Sequence, residues 1–322
     1  MIILTGGAGF IGSCFLKKLN DNDIFDVVIV DRLGSTEKWK NLVGKKFKIY
    51  YHKNEFFDIL FNSKGNFGKI DAIVHLGACS STTESDVDYV MSNNTRYSIR
   101  LAEYAAENDI KFIYASSAAT YGDGTNGYSD RNIDNLKPLN PYGFSKHVFD
   151  QWVVENKLDK SFTGIKFFNV FGPNEYHKGD MASMIFKSFN QIKNTGKVRL
   201  FKSNTSEFKD GEQKRDFIYV KDATEVMWKM LENKSRGGIY NLGTGTARTW
   251  NDLANAVFRA LELEPNIEYV DMPDQLVGKY QNFTQAEMDK LNSSPFATEF
   301  TRLEDAIFDY VRNYLNKSFK YI

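Results

Sequence analysis

Tyr142 and Lys146 stand four residues apart in Pro141-Tyr142-Gly143-Phe144-Ser145-Lys146. On a helix that spacing puts a phenol and an ammonium on one face. A free tyrosine has a pKa of about 10, and each unit of depression corresponds to about 1.4 kcal/mol. A tyrosine base near neutral pH therefore asks for about 4 kcal/mol of local electrostatics, part of which a neighbouring cation supplies. Alone, such a pair is a common accident and usually means a surface helix. A second motif gives it weight.

Thr5-Gly6-Gly7-Ala8-Gly9-Phe10-Ile11-Gly12 follows an apolar run and opens a helical pattern. Gly6, Gly9 and Gly12 permit a tight turn, close approach of backbone to a pyrophosphate, and close helix–strand packing. The helix start then offers free N–H groups to phosphate. Asp31 follows about 20 residues on, where the ribose-binding acid of a dinucleotide site belongs. Asp31 favours NAD through the ribose 2′-hydroxyl. Arg32, Lys38 and Lys53 favour NADP by gathering round a 2′-phosphate, or form an ordinary solvated surface. We expect a nicotinamide dinucleotide, NADP with NAD possible.

Elements that position these motifs are legible as alternating patterns. Ile2 to Leu4, Val27 to Val30, Ala72 to Leu76, Phe112 to Ala115 and Gly164 to Phe168 read as buried strands. Ile11, Phe15 and Leu19 mark a helix face, and Tyr89 to Glu107 reads as one long helix. The alternation implies an α/β fold: a doubly wound parallel Rossmann sheet with a smaller α/β substrate-binding lobe. Residues 1–168 plus about 216–245 are expected to form the dinucleotide lobe, and about 169–215 with 246–322 the substrate lobe. Thr249 to Leu261, led by a Thr249 N-cap, and Arg302 to Leu315 read as amphipathic helices. Ser203 to Gln213 reads as an exposed loop.

Composition narrows the class. The 322 residues are 42% hydrophobic and 25% charged with a formal net charge of +0, which argues against nucleic acid or anionic membrane as a partner. Cys14 and Cys79 make no disulfide framework and fit a reducing compartment. With no membrane-length apolar run and no basic region before an apolar stretch, the cytoplasm is expected. His52, His75, His147 and His177 have no metal-ligand spacing, so no metal is expected.

Longer blocks carry a family likeness. Ser116-Ser117-Ala118-Ala119-Thr120-Tyr121-Gly122, Asn169-Val170-Phe171-Gly172-Pro173 and Arg215-Asp216-Phe217 join the glycine turn and the Tyr142/Lys146 pair. Together they resemble extended short-chain dehydrogenases acting on nucleotide sugars. Three narrower blocks are Gly77-Ala78-Cys79-Ser80-Ser81-Thr82-Thr83-Glu84, His177-Lys178-Gly179-Asp180-Met181-Ala182-Ser183 and Tyr280-Gln281-Asn282-Phe283-Thr284-Gln285-Ala286. These are similar to the ADP-glyceromanno-heptose 6-epimerase family, and the likeness runs over nearly the whole chain. The resemblance implies an isomerase that makes ADP-heptose for bacterial lipopolysaccharide core, uses NADP, and assembles as a homo-oligomer, pentameric or larger.

The implied reaction inverts C6″ of ADP-D-glycero-D-manno-heptose to the L-glycero form. That carbon bears no acidic proton, so hydride leaves to the cofactor, a planar ketone forms, and hydride returns to the opposite face. Tyr142 is the expected base for one orientation, with Lys146 lowering its pKa and holding the nicotinamide ribose, and Ser117 bonding the reacting oxygen. Lys178, a loop lysine if read without the resemblance, is the implied acid/base for the other face. The implied cofactor wall adds Phe10, Ile11, Leu76, Gly77 and Ala78. Cys79, Ser80, Asn93, Val170 and Lys178 complete it. The substrate is implied to meet Asn169, Asp180, Lys187 and Phe201. Lys202, Ser203, Asn204, Arg215 and Tyr280 follow at its nucleotide end, with Arg215 clamping the pyrophosphate. Asp180 and Lys187 depart from the family's commoner small polar residue and histidine, and Ser203 to Gln213 is longer than its pattern.

Two rivals stand beside this reading. A UDP-hexose 4-epimerase shares the fingerprint and the Tyr/Lys pair but works with one tyrosine. A non-catalytic dinucleotide-binding sensor keeps the glycines and loses the catalytic set, against which Tyr142, Lys146 and Ser117 all count. A 4,6-dehydratase calls for an Asp-Glu pair after the serine, and Ala118-Ala119-Thr120 stands there instead.

Overall fold

Ile2, Ile3 and Leu4 of strand β1 (Ile2–Thr5) are all buried, yet they serve two cores. Ile2 and Leu4 pack on one face, Ile3 on the other. A strand covered on both sides belongs to a parallel sheet clothed by helices. The computed structural model describes residues 1–62, 67–233, 237–273 and 280–322. The alternation continues through α1 (Phe10–Asp21), β2 (Val27–Asp31), β3 (Ile49–His52), α2 (Phe56–Asn62), β4 (Ala72–His75), α3 (Val87–Val90) and α4 (Tyr97–Glu107). It ends with β5 (Lys111–Ser117), α5 (Pro141–Glu155) and β6 (Thr163–Phe167). Then follow β7 (Asn169–Phe171), α6 (Met184–Thr195), β8 (Val198–Phe201), β9 (Lys214–Tyr219), α7 (Val220–Glu232) and β10 (Gly238–Leu242). The last elements are β11 (Ala247–Thr249), α8 (Trp250–Ala260), β12 (Ile267–Val270), α9 (Asp289–Asn292) and α10 (Leu303–Tyr310).

Among the described residues the main sheet runs β10-β6-β5-β4-β1-β2-β3, parallel throughout. Phe15, Leu16 and Leu19 of α1 and Val226 and Met227 of α7 cover one face. Leu101 of α4 and Phe149 and Val153 of α5 cover the other. The expected doubly wound sheet is present. Strand order reverses between β1 and β4, which opens a crevice at their carboxyl ends, where such sheets bind ligands.

The Tyr89–Glu107 helix differs from expectation in one respect. The helical run is continuous from Val87 to Glu107, but Met91–Arg96 is a wider π-turn. Such turns re-aim side chains and favour functional sites. Here Asn94 accepts from the Cys79 N–H at 2.8 Å and donates to its carbonyl at 3.0 Å, fixing the loop after β4. The Arg302–Leu315 helix ends similarly, in a π-turn over Val311–Leu315. Thr249 caps α8 reciprocally with Asp252, at 2.9 and 3.1 Å.

A third core holds Phe171, Phe189, Leu253, Val257, Ile307 and Tyr310. Over it lie a three-stranded sheet, β11-β9-β7, and the parallel pair β12-β8. Within the 216–245 span, of which 234–236 lie outside the described residues, α7 packs on α1 and β10 pairs with β6. β9 instead joins the small sheet, between β11 and β7.

Candidate active site

The glycine turn is built as tightly as its composition implies. Gly6 has φ +69°, and a Cβ there would lie 2.7 Å from the Gly77 nitrogen. A Cβ on Gly12 would lie 2.2 Å from the Gly6 carbonyl oxygen. Backbone cannot yield to that contact without moving α1. Gly12→Ala should therefore cost about 1–3 kcal/mol, read as a lower denaturant midpoint with an unchanged m-value. Gly9, the N-cap of α1, has no side-chain cap, so the helix start keeps free N–H groups for an anion.

Two adjoining cavities of about 300 and 290 Å³ lie over this turn. Gly6, Asp31, Lys38, Gly77, Ala78 and His177 border both. One extends past Arg32, Lys53, Cys79 and Asn93, the other past Gly9, Phe10, Ile11 and Gly12. The second also takes in Leu76, Ser80, Val170 and Lys178, with Ser117, Tyr142 and Lys146 at its far wall. A two-chambered groove with a bare glycine turn at its waist fits a nicotinamide dinucleotide.

Asp31 ends β2 and is buried. Its carboxylate accepts from the Ala8 N–H at 2.9 Å, the Arg32 N–H at 2.7 Å and Lys38 Nζ at 2.5 Å. Much of its accepting capacity is thus spent on the turn and on Lys38. Arg32 is exposed at the cavity rim. Lys53 donates to Asn93 Oδ1, and burial together with the Arg32 charge lowers its pKa.

Asn140 caps α5, accepting from the Gly143 N–H at 2.8 Å, and Pro141 occupies the first turn. A Cβ on Gly143 would lie 2.6 Å from the Ala119 carbonyl, so glycine lets α5 press against the turn after Ser117. Tyr142 and Lys146 share this helix as expected. The expected lowering of the phenol's pKa by Lys146 is not found. Burial raises the Tyr142 pKa and a Ser117 hydrogen bond pulls it back in part. The lysine is turned onto the Ala115 carbonyl at 2.7 Å, and burial lowers its pKa to about 8 against the pull of Asp150. Ser117 ends β5 and accepts from the Ala119 N–H at 3.1 Å.

Lys178 faces this cavity from a 3-10 turn, Tyr176–Met181, with its ammonium 5.2 Å from the Phe10 ring centroid. Burial lowers its pKa; buried Glu175 opposes the shift and Lys187 adds to it. Glu175 pins the turn by accepting from the Ser183 N–H at 2.5 Å and its hydroxyl at 2.7 Å. The C-terminal residues hold it from below: the Tyr176 hydroxyl donates to the Lys320 carbonyl at 2.5 Å, and the Ile322 N–H to Asn174 Oδ1 at 3.1 Å.

The residues expected at the nucleotide end gather elsewhere. The Arg215 guanidinium lies 5.0 Å from the Tyr280 ring and 5.5 Å from that of Trp250. Tyr280 accepts from Trp250 Nε1 at 2.8 Å and meets Phe201 edge-on at 6.3 Å. Arg215 donates to the carbonyls of Lys214 and Gln281, leaving part of its fork of five donors. None of Phe201, Arg215 or Tyr280 borders the two cavities. Asn169 is exposed at the start of β7, and Lys187 donates to the Asp180 carbonyl at 2.7 Å. Lys202 pairs with Asp271 at 2.9 Å, Ser203 N–H donates to Asp210 at 2.8 Å, and Asn204 is exposed.

Among the site residues that escaped the sequence reading are Asn94, His177 and Trp250. Asn94 holds the Cys79 loop. His177 borders both chambers and is held neutral, its pKa about 4 through burial and the Lys38 and Lys178 charges. Trp250 braces Arg215. Only His177 had a signal, its place beside Lys178.

Residues 2–243 match the model of the NAD dependent epimerase/dehydratase family. The chain belongs to that family. It is 54% identical over 318 residues to an ADP-L-glycero-D-manno-heptose-6-epimerase of Nitratidesulfovibrio vulgaris, covering 98% of each chain. A Fusobacterium nucleatum protein of the same description is 47% identical over 333 residues, covering 100% of both. The Helicobacter pylori crystal structure of that description superposes with a TM-score of 0.82 at 30% identity, over 97% of this chain and 95% of that one. The resemblance drawn from the motifs is borne out, as is the expectation of an epimerase-type enzyme using a nicotinamide dinucleotide. A Methanobrevibacter ruminantium UDP-N-acetylglucosamine 4-epimerase superposes with a TM-score of 0.81 but at 25% identity, covering 97% of this chain and 96% of that one. The 4-epimerase rival thus shares the fold far more than the sequence. Among the described residues no helix is long and apolar enough to cross a membrane.

Proposed function

We propose that the chain inverts C6″ of ADP-D-glycero-D-manno-heptose, giving the L-glycero epimer for lipopolysaccharide core, with NADP as its resident cofactor. The supporting observation is one cavity that joins the glycine turn to Ser117, Tyr142 and Lys146 on one wall and Lys178 on a separate turn. When bound, the dinucleotide supplies a reversible hydride acceptor. Ser117 and Tyr142 bond the alcohol oxygen, and the Tyr142 phenolate takes its proton as the C–H bond yields hydride. Lys146 holds the nicotinamide ribose. On the opposite side of the cavity, Lys178 would return a proton to the ketone oxygen when the substrate turns its other face. Arg215, Tyr280 and Phe201 hold the nucleotide end, with Asn169, Asp180, Lys187, Lys202, Ser203 and Asn204 along the way. Residues 1–168 with 216–245 form the cofactor lobe and the remainder the substrate lobe. The working form is a cytoplasmic homo-oligomer.

Incubation of the protein with the D-glycero substrate in deuterium oxide, followed by NMR, tests this. The L-glycero epimer should appear without deuterium at the inverted carbon; solvent label there would overturn hydride shuttling.

Preference for NADP is supported by Arg32 and Lys53, since Asp31 is already engaged by Lys38. Loss of a charged hydrogen bond to phosphate costs about 1.5–3 kcal/mol, or about 10- to 100-fold in Kd. Calorimetric titration of Arg32→Ala should show that loss for NADP and no change for NAD. Equal weakening of both would remove the 2′-phosphate assignment.

A further inference from the structure

We propose that Asp150 and Lys166, a buried ion pair behind the proton-transfer residues, are positioning residues that hold Ser117 and Lys146 in register. The inference rests on the epimerase reading above. Asp150 lies one helical turn beyond Lys146 on α5. Lys166 lies on β6, opposite Ser116 of β5 in the sheet register. Both side chains are 0% exposed, and Lys166 Nζ sits 2.5 Å from Asp150 Oδ2.

The pair is the hub of a connected network. Asp150 Oδ2 also accepts from the Ser116 hydroxyl at 2.7 Å. Lys166 Nζ donates to Thr120 Oγ1 at 2.8 Å, and that hydroxyl donates to the Ser117 carbonyl at 2.8 Å. Lys146 meanwhile reaches the Ala115 carbonyl. Helix α5 is thereby tied to three successive residues at the end of β5: Ala115 and Ser116 directly, and Ser117 through Lys166 and Thr120.

Stability does not account for this arrangement. Two ions removed from water lose solvation that their attraction barely restores, and neutral replacements of similar volume are often neutral or stabilising. Neither side chain borders the cavities, so neither touches substrate. What the pair does provide is a fixed distance between α5, which carries the base, and β5, which carries the serine. The Asp150 charge also favours the cationic form of Lys146 against its burial.

The double variant Asp150→Asn/Lys166→Met removes both charges and leaves no unpaired buried ion. It should fold with a Tm at or above wild type. Its kcat should fall about a hundredfold with KM unchanged, the effect of misplacing reacting groups by about an ångström. Wild-type kcat in a folded double variant would overturn the proposal and leave the pair a packing feature. If the double variant does not fold, Thr120→Val decides. It keeps the Asp150–Lys166 contact, removes the hydroxyl through which Lys166 reaches the Ser117 carbonyl, and should lower kcat with KM unchanged in a variant that still folds; wild-type kcat there overturns the proposal equally. Failure of the wild-type protein to epimerise in the same assay would instead overturn the underlying function.

Discussion

Tyr142→Phe should lower kcat about 10²- to 10⁴-fold, the range lost with a positioned acid/base, while the nicotinamide dinucleotide binds with unchanged Kd. The two readouts separate because, in the proposed reaction, the phenol oxygen would meet the reacting alcohol, whereas Lys146 and the glycine turn would hold the cofactor. Folding should survive, since the ring and its packing remain. The raised pKa of Tyr142 sharpens the expectation. Burial holds the phenol protonated, and the ammonium expected to help is turned to the Ala115 carbonyl. We expect ionisation to be coupled to ligand binding, through the positive charge that an oxidised nicotinamide would bring to this cavity. Phenolate absorbance should accordingly appear at lower pH with oxidised cofactor present than without it, and that difference should vanish in the variant. An active Tyr142→Phe enzyme would leave the proposed chemistry without its base.

The second large effect belongs to Lys178→Met. Methionine keeps most of the side chain over Phe10 and deletes the ammonium proposed as proton carrier. Epimerisation should fall about 10²- to 10³-fold, but unevenly between the half-reactions. Cofactor reduction by the epimer that presents its hydroxyl to Tyr142 should remain near normal in a rapid-mixing measurement. Reduction by the other epimer should be lost. Near-normal epimerisation would mean that one tyrosine serves both faces, with the ketone turning over in the pocket. Burial already disfavours the charged ammonium of Lys178, which suits a group that must give up its proton.

The parts of this site that could be read in the sequence are those set by local backbone demands. Gly6 and Gly12 are needed because a Cβ would strike main chain. Asp31 is legible because it ends the strand after the glycine helix. Tyr142 and Lys146 follow from helical spacing. The five strands read as buried runs all exist because burial on both faces leaves few polar positions, Lys166 of β6 being one exception. β3 was not legible, since its residues are exposed or half-buried and alternate weakly. β7, at three residues, is too short to carry a period. Long-range partners were invisible as well. Nothing near Asn94 announces that it will hold Cys79, and the Lys166–Asp150 pair spans 16 residues and two elements. The turn of Lys146 toward Ala115 is a choice of rotamer, which spacing alone does not fix.

Anchoring of residues 320–322 beneath the Tyr176–Met181 turn has a practical meaning. Those residues, far along the chain from the chemistry, underlie the support that carries Lys178. A purification tag or fluorophore fused after Ile322 would pull on that support. Such a label would be a poor spectator of the enzyme and a good reporter of how firmly the Lys178 turn is seated.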